Sequence, residues 1–165
     1  RTGVRGQGCD TTARDASVED AQALSGPRGP WAMWQAGLAA VSPTAIAEIV
    51  RWATPVIHFR RTATRDTEIG GQAIREGQKV VLWYNSGNRD ADAFEDPFRF
   101  DVRRQPHTHV GFGGPGPHFC LGAPLAPRAM PLLFPSVVLR LPRLDVPRHP
   151  QRPRSSLLPP LSHSA

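Results

Sequence analysis

Residues 111–122 of this chain read GFGGPGPHFCLG, which places Cys120 at the end of a glycine-rich loop with His118 two residues before it. Glycine has no Cβ, so the backbone N–H groups of such a loop can approach a sulfur atom closely. Apolar Phe112 and Phe119 are expected to exclude water, and a helix starting after the loop favours negative charge on the sulfur. This setting suits a thiolate that ligates haem iron, and oxygen activation is the leading hypothesis.

Other functions fit parts of the same loop. Gly111, Gly113 and Gly116 satisfy G-x-G-x-x-G, but a dinucleotide site also needs a preceding apolar strand and an acid about 20 residues later, and both are missing. The loop has no Gly-Lys-Ser/Thr, which excludes a Walker phosphate loop. Zinc binding is conceivable, although the spacing matches no common finger pattern. Its ligands would be His107, His109, His118 and Cys120. An unreactive cysteine in a flexible loop is equally compatible with the loop taken alone.

Two further motifs precede the loop. Glu48 and Arg51 form E-x-x-R, and residues 97–100 read PFRF, which contains Arg99. A Glu–Arg pair at this spacing on a helix is usually a solvated ion pair worth a few tenths of a kcal/mol. The three motifs in this order, however, resemble the signature set of the cytochrome P450 family. The run from 44 to 126 is most similar to actinobacterial P450s that oxidise sterol side chains, branched lipids or terpenoids.

The resemblance implies a fold class that is mainly α with small β-sheets (α+β), as in the C-terminal, haem-binding part of a P450. We expect residues 1–165 to form a single incomplete domain, because the chain has well under half the usual length of the family. Within it, 1–43 would be a degraded remnant of the oxygen-activating helix and a divergent segment. Residues 44–126 would form the well-matched haem-binding core, and 127–165 a divergent, proline-rich, disordered tail.

The resemblance also assigns the cofactor-binding positions. Cys120 matches the cysteine that ligates the iron of haem b, and is therefore the expected metal ligand. His118 and Arg61 match positions that contact the two haem propionates. The remaining loop positions expected to contact the cofactor are Phe112, Gly116 and Gly122.

Other matched residues would support the fold or line the substrate pocket. Glu48, Arg51 and Arg99 match a partly buried network behind the haem, with a structural rather than a catalytic role. Two arginines around one carboxylate suit bidentate hydrogen bonding, which lysine cannot reproduce. Val56 and Ile57 match the segment that lines the substrate pocket, and they are also compatible with an apolar strand core.

A proton-delivery motif is expected near the start of the chain. Residues 8–12 read GCDTT and resemble the A/G-G-x-D/E-T-T motif of the family. By this resemblance, Asp10 and Thr11 would be the catalytic residues that relay protons to iron-bound dioxygen. An Asp-Thr-Thr helix cap is the alternative interpretation of the same residues.

The sequence also predicts local structure around these motifs. A helix is expected from Pro43 to Ala53, with Ser42 as its cap and Pro43 in its first turn. Strand-like residues 56–64 lead into a hairpin region with turn glycines, and residues 79–84 indicate a buried strand. An interior proline destabilises a helix by roughly 3 kcal/mol. We therefore expect no helix after the cysteine, where the chain has Pro127, Pro131 and Pro135.

Composition limits the partners and the compartment. The net charge is +6, but the basic tail between Arg140 and Arg154 is broken by prolines and lacks interleaved aromatic residues, so no nucleic-acid partner is expected. No apolar run is long enough to span a membrane, so no membrane partner is expected either. Of the two cysteines, one carries the ligand signature, which favours a reducing cytoplasm.

The family resemblance implies the remaining partners. Electrons would come from NAD(P)H through ferredoxin reductase and ferredoxin, with O₂ as co-substrate and a small hydrophobic molecule as substrate. A basic surface around Arg103, Arg104 and Arg128 would dock the ferredoxin. The alternatives are a catalytically inactive P450 remnant from a frameshifted or decayed gene, and a small basic metal- or nucleic-acid-binding module.

Overall fold

A computed structural model of the chain describes Leu24 and residues 29–141. Asp10 and Thr11 lie outside the described residues, so their predicted role is not addressed by the structure. The elements are α1 (Pro30–Ala36), α2 (Leu38–Ala53), β1 (His58–Thr62), β2 (Thr67–Ile69), β3 (Gln72–Ile74), β4 (Lys79–Trp83), α3 (Tyr84–Gly87) and α4 (Ala126–Arg140). The core lies where α1, α2 and α4 meet, with Phe100 and Val102 added from the segment after α3.

The helix that carries E-x-x-R begins earlier than predicted. It starts at Leu38, so Ser42 and Pro43 lie inside it and Ser42 is not its cap. The Ser42 hydroxyl instead donates to the carbonyl of Leu38 and accepts the indole N–H of buried Trp34 at 2.9 Å. This side chain therefore joins α1 to α2. The predicted end at Ala53 is confirmed, because Pro55 disfavours further helix.

A helix does form after the cysteine, contrary to the prediction from the prolines. α4 contains Pro131 and Pro135 in its interior, each of which removes one backbone donor. One face of the helix is buried nonetheless, through Met130, Phe134 and Val138 at four-residue spacing. The Phe134 ring stacks on Trp34 with centroids 5.7 Å apart. Tertiary packing of this face outweighs the intrinsic cost of the prolines.

The strands form two antiparallel ribbons. β1 pairs with β4 from His58 opposite Trp83 to Thr62 opposite Lys79. The predicted hairpin is confirmed as β2 and β3, with Gly70 at φ 56° in its turn. β4 is largely exposed in the part of the chain that the structure describes, and the Trp83 side chain is 57% accessible. The prediction of a buried strand was wrong, because a two-stranded ribbon buries side chains only where another layer covers it.

The segment between α3 and α4 is irregular and packs on α2. Phe100 contacts Trp52 edge-on with ring centroids 5.6 Å apart. Further along this segment, where the glycine-rich loop begins, a Cβ on Gly111 would come within 2.7 Å of the Val50 side chain. Glycine is therefore required where the glycine-rich loop packs against α2. No helix among the described residues is long and apolar enough to cross a membrane.

Replacing Pro135 with alanine should raise the free energy of unfolding by about 1–3 kcal/mol. Alanine restores a backbone donor and removes the clash with the carbonyl of Pro131. Pro135 lines an apolar groove between α2 and α4 and is only half-buried, so little packing is lost. Urea unfolding followed by circular dichroism measures the change. Leu132→Ala, on the same helix at a side chain 77% exposed, is the control and should shift stability by less than about 0.5 kcal/mol.

Candidate functional site

A buried ion pair ties together two residues of the E-x-x-R motif. Arg51 donates from Nε to Oε2 of Glu48 at 2.7 Å and from Nη2 to Oε1 at 2.8 Å. Both side chains are completely inaccessible to solvent. This two-pronged geometry makes the pair a buried structural link rather than the solvated surface pair that E-x-x-R spacing usually produces.

The second cation on the carboxylate is Arg104 and not the predicted Arg99. Arg104 Nε lies 3.1 Å from Oε2 of Glu48. The Arg99 side chain is exposed, and its contribution is a backbone carbonyl that accepts Arg104 Nη2 at 2.7 Å. The physical reason is that burial alternates along this segment, so that every second side chain is buried. The buried side chains are Phe100, Val102 and Arg104. The residues between them are directed outward. The same burial removes Arg104 from the basic surface expected to dock ferredoxin.

The guanidinium groups also bind the irregular segment through its carbonyl oxygens. Arg51 Nη1 donates to Asn88 at 2.6 Å and to Pro97 at 2.9 Å, while Arg104 Nη2 donates to Asp96 at 3.1 Å. The Glu48 carboxylate accepts the backbone N–H of Asp101 at 2.9 Å. Buried charges are tolerated only when their hydrogen-bonding capacity is used in this way. The network therefore fixes residues 88–104 on α2.

Asn88 extends the network to the glycine-rich loop. Its side chain is fully buried, donates from Nδ2 to Thr54 Oγ1 at 2.9 Å, and accepts the backbone N–H of Val110 at 2.7 Å. Val110 is the residue immediately before the loop. Sequence reasoning missed Asn88, because a single asparagine in a polar segment belongs to no recognisable motif and to no hydrophobic repeat.

The loop folds back on itself and presents the cysteine. The N–H of Cys120 donates to the carbonyl of Phe112 at 3.0 Å, and the N–H of Gly113 donates to Val110 at 2.8 Å. Gly113 and Gly116 have φ values of 89° and 139°, a region that side chains strongly disfavour. Cys120 is free and exposed. A turn separates it from α4, so the helix does not start directly at the sulfur.

These contacts coincide with an extended match to known proteins. The family model of the cytochrome P450s, described as "Cytochrome P450", matches residues 41–162, which is most of the chain. The chain belongs to the cytochrome P450 family. The match includes the E-x-x-R helix, the P-x-R-F segment and the cysteine loop, so the fold and family predicted from these motifs are confirmed.

The curated relatives of the chain include a steroid monooxygenase and a lipid hydroxylase. The chain is 42% identical over 153 residues to a steroid C26-monooxygenase of Mycobacterium tuberculosis, covering 92% of the chain and 34% of the relative. It is 43% identical over 141 residues to a methyl-branched lipid omega-hydroxylase of the same organism, covering 86% and 33%. The chain thus spans about a third of the length of the curated relatives that it matches.

Solved P450 structures share the fold of the chain. A Mycobacterium marinum cytochrome P450 in complex with pseudoionone superposes with a TM-score of 0.84 at 43% identity, covering 92% of this chain and 36% of that one. A versatile P450 of Bacillus subtilis gives a TM-score of 0.80 at 35% identity, covering 93% and 41%. The helices and small antiparallel sheets are therefore part of a P450 fold.

The residues of the loop fit the haem that the family implies. Cys120 offers a free thiol at the surface, which is the donor that haem-thiolate ligation needs. A Cβ on Gly122 would touch its sulfur at 3.7 Å, so the glycine keeps that side of the sulfur open. Phe119 and Leu121 on either side of the cysteine are exposed by 48% and 97%. A flat apolar group over the loop would cover them.

The other predicted cofactor and pocket residues lie near the surface. His118 and Arg61 are exposed, and the Arg61 guanidinium lies 5.5 Å from the Phe59 ring centroid. Phe112 is half-buried and packs against the core. Val56 and Ile57 are half-buried between α2 and β1. Arg61 and the two pocket residues are not joined to the loop by any hydrogen bond recorded among the described residues.

The alternative zinc site is not supported within the described part of the chain. No group of three or more histidine, cysteine or acidic side chains lies close enough together there to hold a metal ion. His107 and His109 are instead half-buried. Burial lowers the pKa of both, and that of His109 falls to about 4, with the nearby His107 as a second cause.

Substitution of Arg104 should separate the observed network from the predicted one. Arg104→Lys should lower the free energy of unfolding by about 2–4 kcal/mol, because lysine keeps the charge but cannot form the fork that reaches Glu48 and the backbone carbonyls. Arg99→Lys, which preserves the backbone carbonyl, is the matched control and should change stability by less than about 0.5 kcal/mol. Equal losses in the two variants would contradict the assignment of Arg104. Chemical denaturation is the measurement.

The low pKa of His109 predicts an acid-dependent loss of stability. Between its usual pKa of 6.5 and the folded value of about 4, the unfolded chain binds a proton at this residue that the folded chain does not. This contribution to stability is therefore present above pH 6.5 and is lost as the pH falls towards 4. Compared with wild type, His109→Asn should lose less stability between pH 7 and pH 4, by roughly 3 kcal/mol. His118→Asn controls for removing an exposed histidine, and an unchanged pH slope in His109→Asn would contradict the prediction.

Proposed function

We propose that this chain is the haem-binding part of a P450 monooxygenase that inserts one oxygen atom into a C–H bond of a hydrophobic substrate. The observation that carries the proposal is the free thiol of Cys120, held on a loop whose backbone is fixed to a P450 core. When bound, haem supplies the iron at which dioxygen is reduced. The reaction consumes O₂, two electrons and two protons, and yields the hydroxylated product and water.

In this proposal, Cys120 is the residue that would hold the haem iron through its sulfur. Its backbone N–H is committed to the Phe112 carbonyl, so the position of the sulfur depends on the loop rather than on a flexible side chain alone. The positive φ values of Gly113 and Gly116 allow the loop to return towards Phe112. Gly122 leaves room beside the sulfur. These features support Cys120 as the residue that would bind the iron.

Two exposed side chains, those of Arg61 and His118, are proposed to bind the haem propionates. Arg61 lies on β1, where its guanidinium can donate several hydrogen bonds to a carboxylate. His118 lies in the loop itself, two residues before the ligand. Both side chains are exposed and could donate to the carboxylates of a bound haem.

The proposed substrate is a small hydrophobic molecule such as a sterol, a branched lipid or a terpenoid-like compound. Support comes from two curated relatives, whose names specify a steroid and a methyl-branched lipid. Val56 and Ile57 would contribute apolar contacts to the pocket. Asp10 and Thr11 remain the proposed proton-delivery pair, on the strength of the GCDTT motif alone.

Electron supply and location follow the same proposal. Electrons would come from NAD(P)H through ferredoxin reductase and ferredoxin, and exposed Arg103 and Arg128 are positioned to attract an acidic partner. The cytoplasm is the proposed compartment, because its reducing conditions keep the Cys120 thiol free for ligation.

A second candidate is a P450 remnant that binds haem weakly and has no activity. The exposure of β4 favours it, since the apolar side chains of Val81, Leu82 and Trp83 face solvent in the described part of the chain. A substrate site needs such side chains to line an enclosed pocket. The two candidates share the cysteine ligand and differ in catalysis.

The absorption spectrum of the reduced, carbon monoxide-treated protein tests the proposal. The intact chain reconstituted with haem should give the red-shifted Soret band typical of thiolate ligation. Cys120→Ala should abolish that band, whereas Cys9→Ala, the matched control at the other cysteine of the chain, should retain it. A thiolate band that persists in Cys120→Ala would overturn the ligand assignment.

Turnover separates the two candidates. With a ferredoxin, its reductase and NADPH, an active chain should hydroxylate a steroid or branched-lipid substrate, with one oxygen atom of ¹⁸O₂ appearing in the product. A thiolate band without product would favour the remnant. The absence of any haem uptake by the intact chain would contradict both.

A further inference from the structure

His109 lies at the entrance of the cysteine loop and is not used by the proposed chemistry. Its Nδ1 accepts the backbone N–H of Gly111 at 3.3 Å. Its ring also lies against Phe112, with centroids 5.7 Å apart. One side chain therefore contacts both residues that begin the loop.

A short series of contacts connects His109 to the ligand. Phe112, whose ring His109 contacts, also provides the carbonyl that accepts the Cys120 N–H at 3.0 Å. Gly111 is pressed against Val50 of α2, where a Cβ would stand 2.7 Å from the valine side chain. The backbone at 111–112 is thus fixed by α2 on one side and by His109 on the other. The Phe112 carbonyl that accepts the Cys120 N–H therefore lies one residue beyond the backbone that His109 holds.

The hydrogen bond requires an unprotonated Nδ1. Burial keeps this imidazole neutral near pH 7, since its pKa is lowered to about 4. A neutral ring that accepts at Nδ1 carries its proton on Nε2. The acceptor is therefore available throughout the physiological pH range.

We propose that His109 is a positioning residue for the axial ligand, and that it acts through its Nδ1 acceptor on the Gly111 N–H to hold the Phe112 carbonyl in place for Cys120. The proposal rests on the assigned role of Cys120 as ligand. It is distinct from haem contact, because His109 acts on the backbone of the loop.

A pair of substitutions separates the hydrogen bond from the ring contact. Asparagine can accept from a backbone N–H two residues later, so His109→Asn keeps an acceptor but removes the ring. His109→Phe keeps an aromatic ring against Phe112 but removes the acceptor. Both variants are made in the full chain.

Amide hydrogen exchange by NMR in the haem-free chain is the first measurement. His109→Phe should lower the protection of the Cys120 amide by about fivefold, equivalent to one hydrogen bond of about 1 kcal/mol. His109→Asn should stay within about twofold of wild type. The Thr54 amide, which donates to Val50 at the end of α2, reports whether the core is intact and should be unchanged in both variants. In the reconstituted protein, His109→Phe should also lose part of the thiolate band that His109→Asn retains.

Three results would overturn the proposal. Unchanged Cys120 protection in His109→Phe would show that the acceptor does not matter. Loss in His109→Asn but not in His109→Phe would assign the effect to the ring, and parallel loss at Thr54 would assign it to the core. Exchange is measured without haem. Failure of haem binding by the wild-type chain would therefore contradict the proposed function, but the effect of His109 on Cys120 protection could still be measured.

Discussion

The carboxylate of Glu48, buried between two arginines, is the interaction on which the rest of the structure depends. An isolated charge in this position would be strongly unfavourable, and removal of either arginine would leave it uncompensated. Because the guanidinium groups also bind backbone carbonyls from Asn88 to Arg99, the charge balance and the path of an irregular segment are set together. A segment with no regular hydrogen-bonding ladder thereby acquires a fixed course.

That fixed course is transmitted to the cysteine. Asn88 belongs to the segment and binds Val110, and the loop begins at the next residue. Gly111 packs on α2 so closely that no side chain is tolerated there. The glycine-rich loop is thus anchored at its base by polar contacts and by steric contact, while its outer part, from Gly114 to Gly122, is exposed. Such a division suits a loop that must hold one atom in place and still admit a large planar cofactor.

The sequence predicted the family, the fold class and the existence of the E-x-x-R helix, because these depend on short motifs in a fixed order. It failed where several arginines were chemically equivalent. Arg99 fits the motif, but Arg104 is the arginine that is buried. In the sequence, only the spacing of Phe100, Val102 and Arg104 at every second position indicates this. Asn88 was not recognised, and His109 was considered only as a zinc ligand. Their roles arise from contacts between segments distant in sequence or from a side chain turned back onto its own loop. The start of α2 was misplaced because Ser42 and Pro43 are common at helix starts, and here the contact with Trp34 outweighed that preference.

The prolines of α4 have a consequence for the order of assembly. A helix of 15 residues is marginal in water even with favourable residues, and Pro131 and Pro135 remove two of its backbone donors. This segment would therefore not hold its helical shape alone and needs Trp34 and α2 as a template. Because Trp34 and α2 precede α4 in the chain, the template leaves the ribosome first, and we expect α4 to become helical as it docks. The last described helix is in this sense a product of tertiary assembly and cannot serve as a nucleus for it.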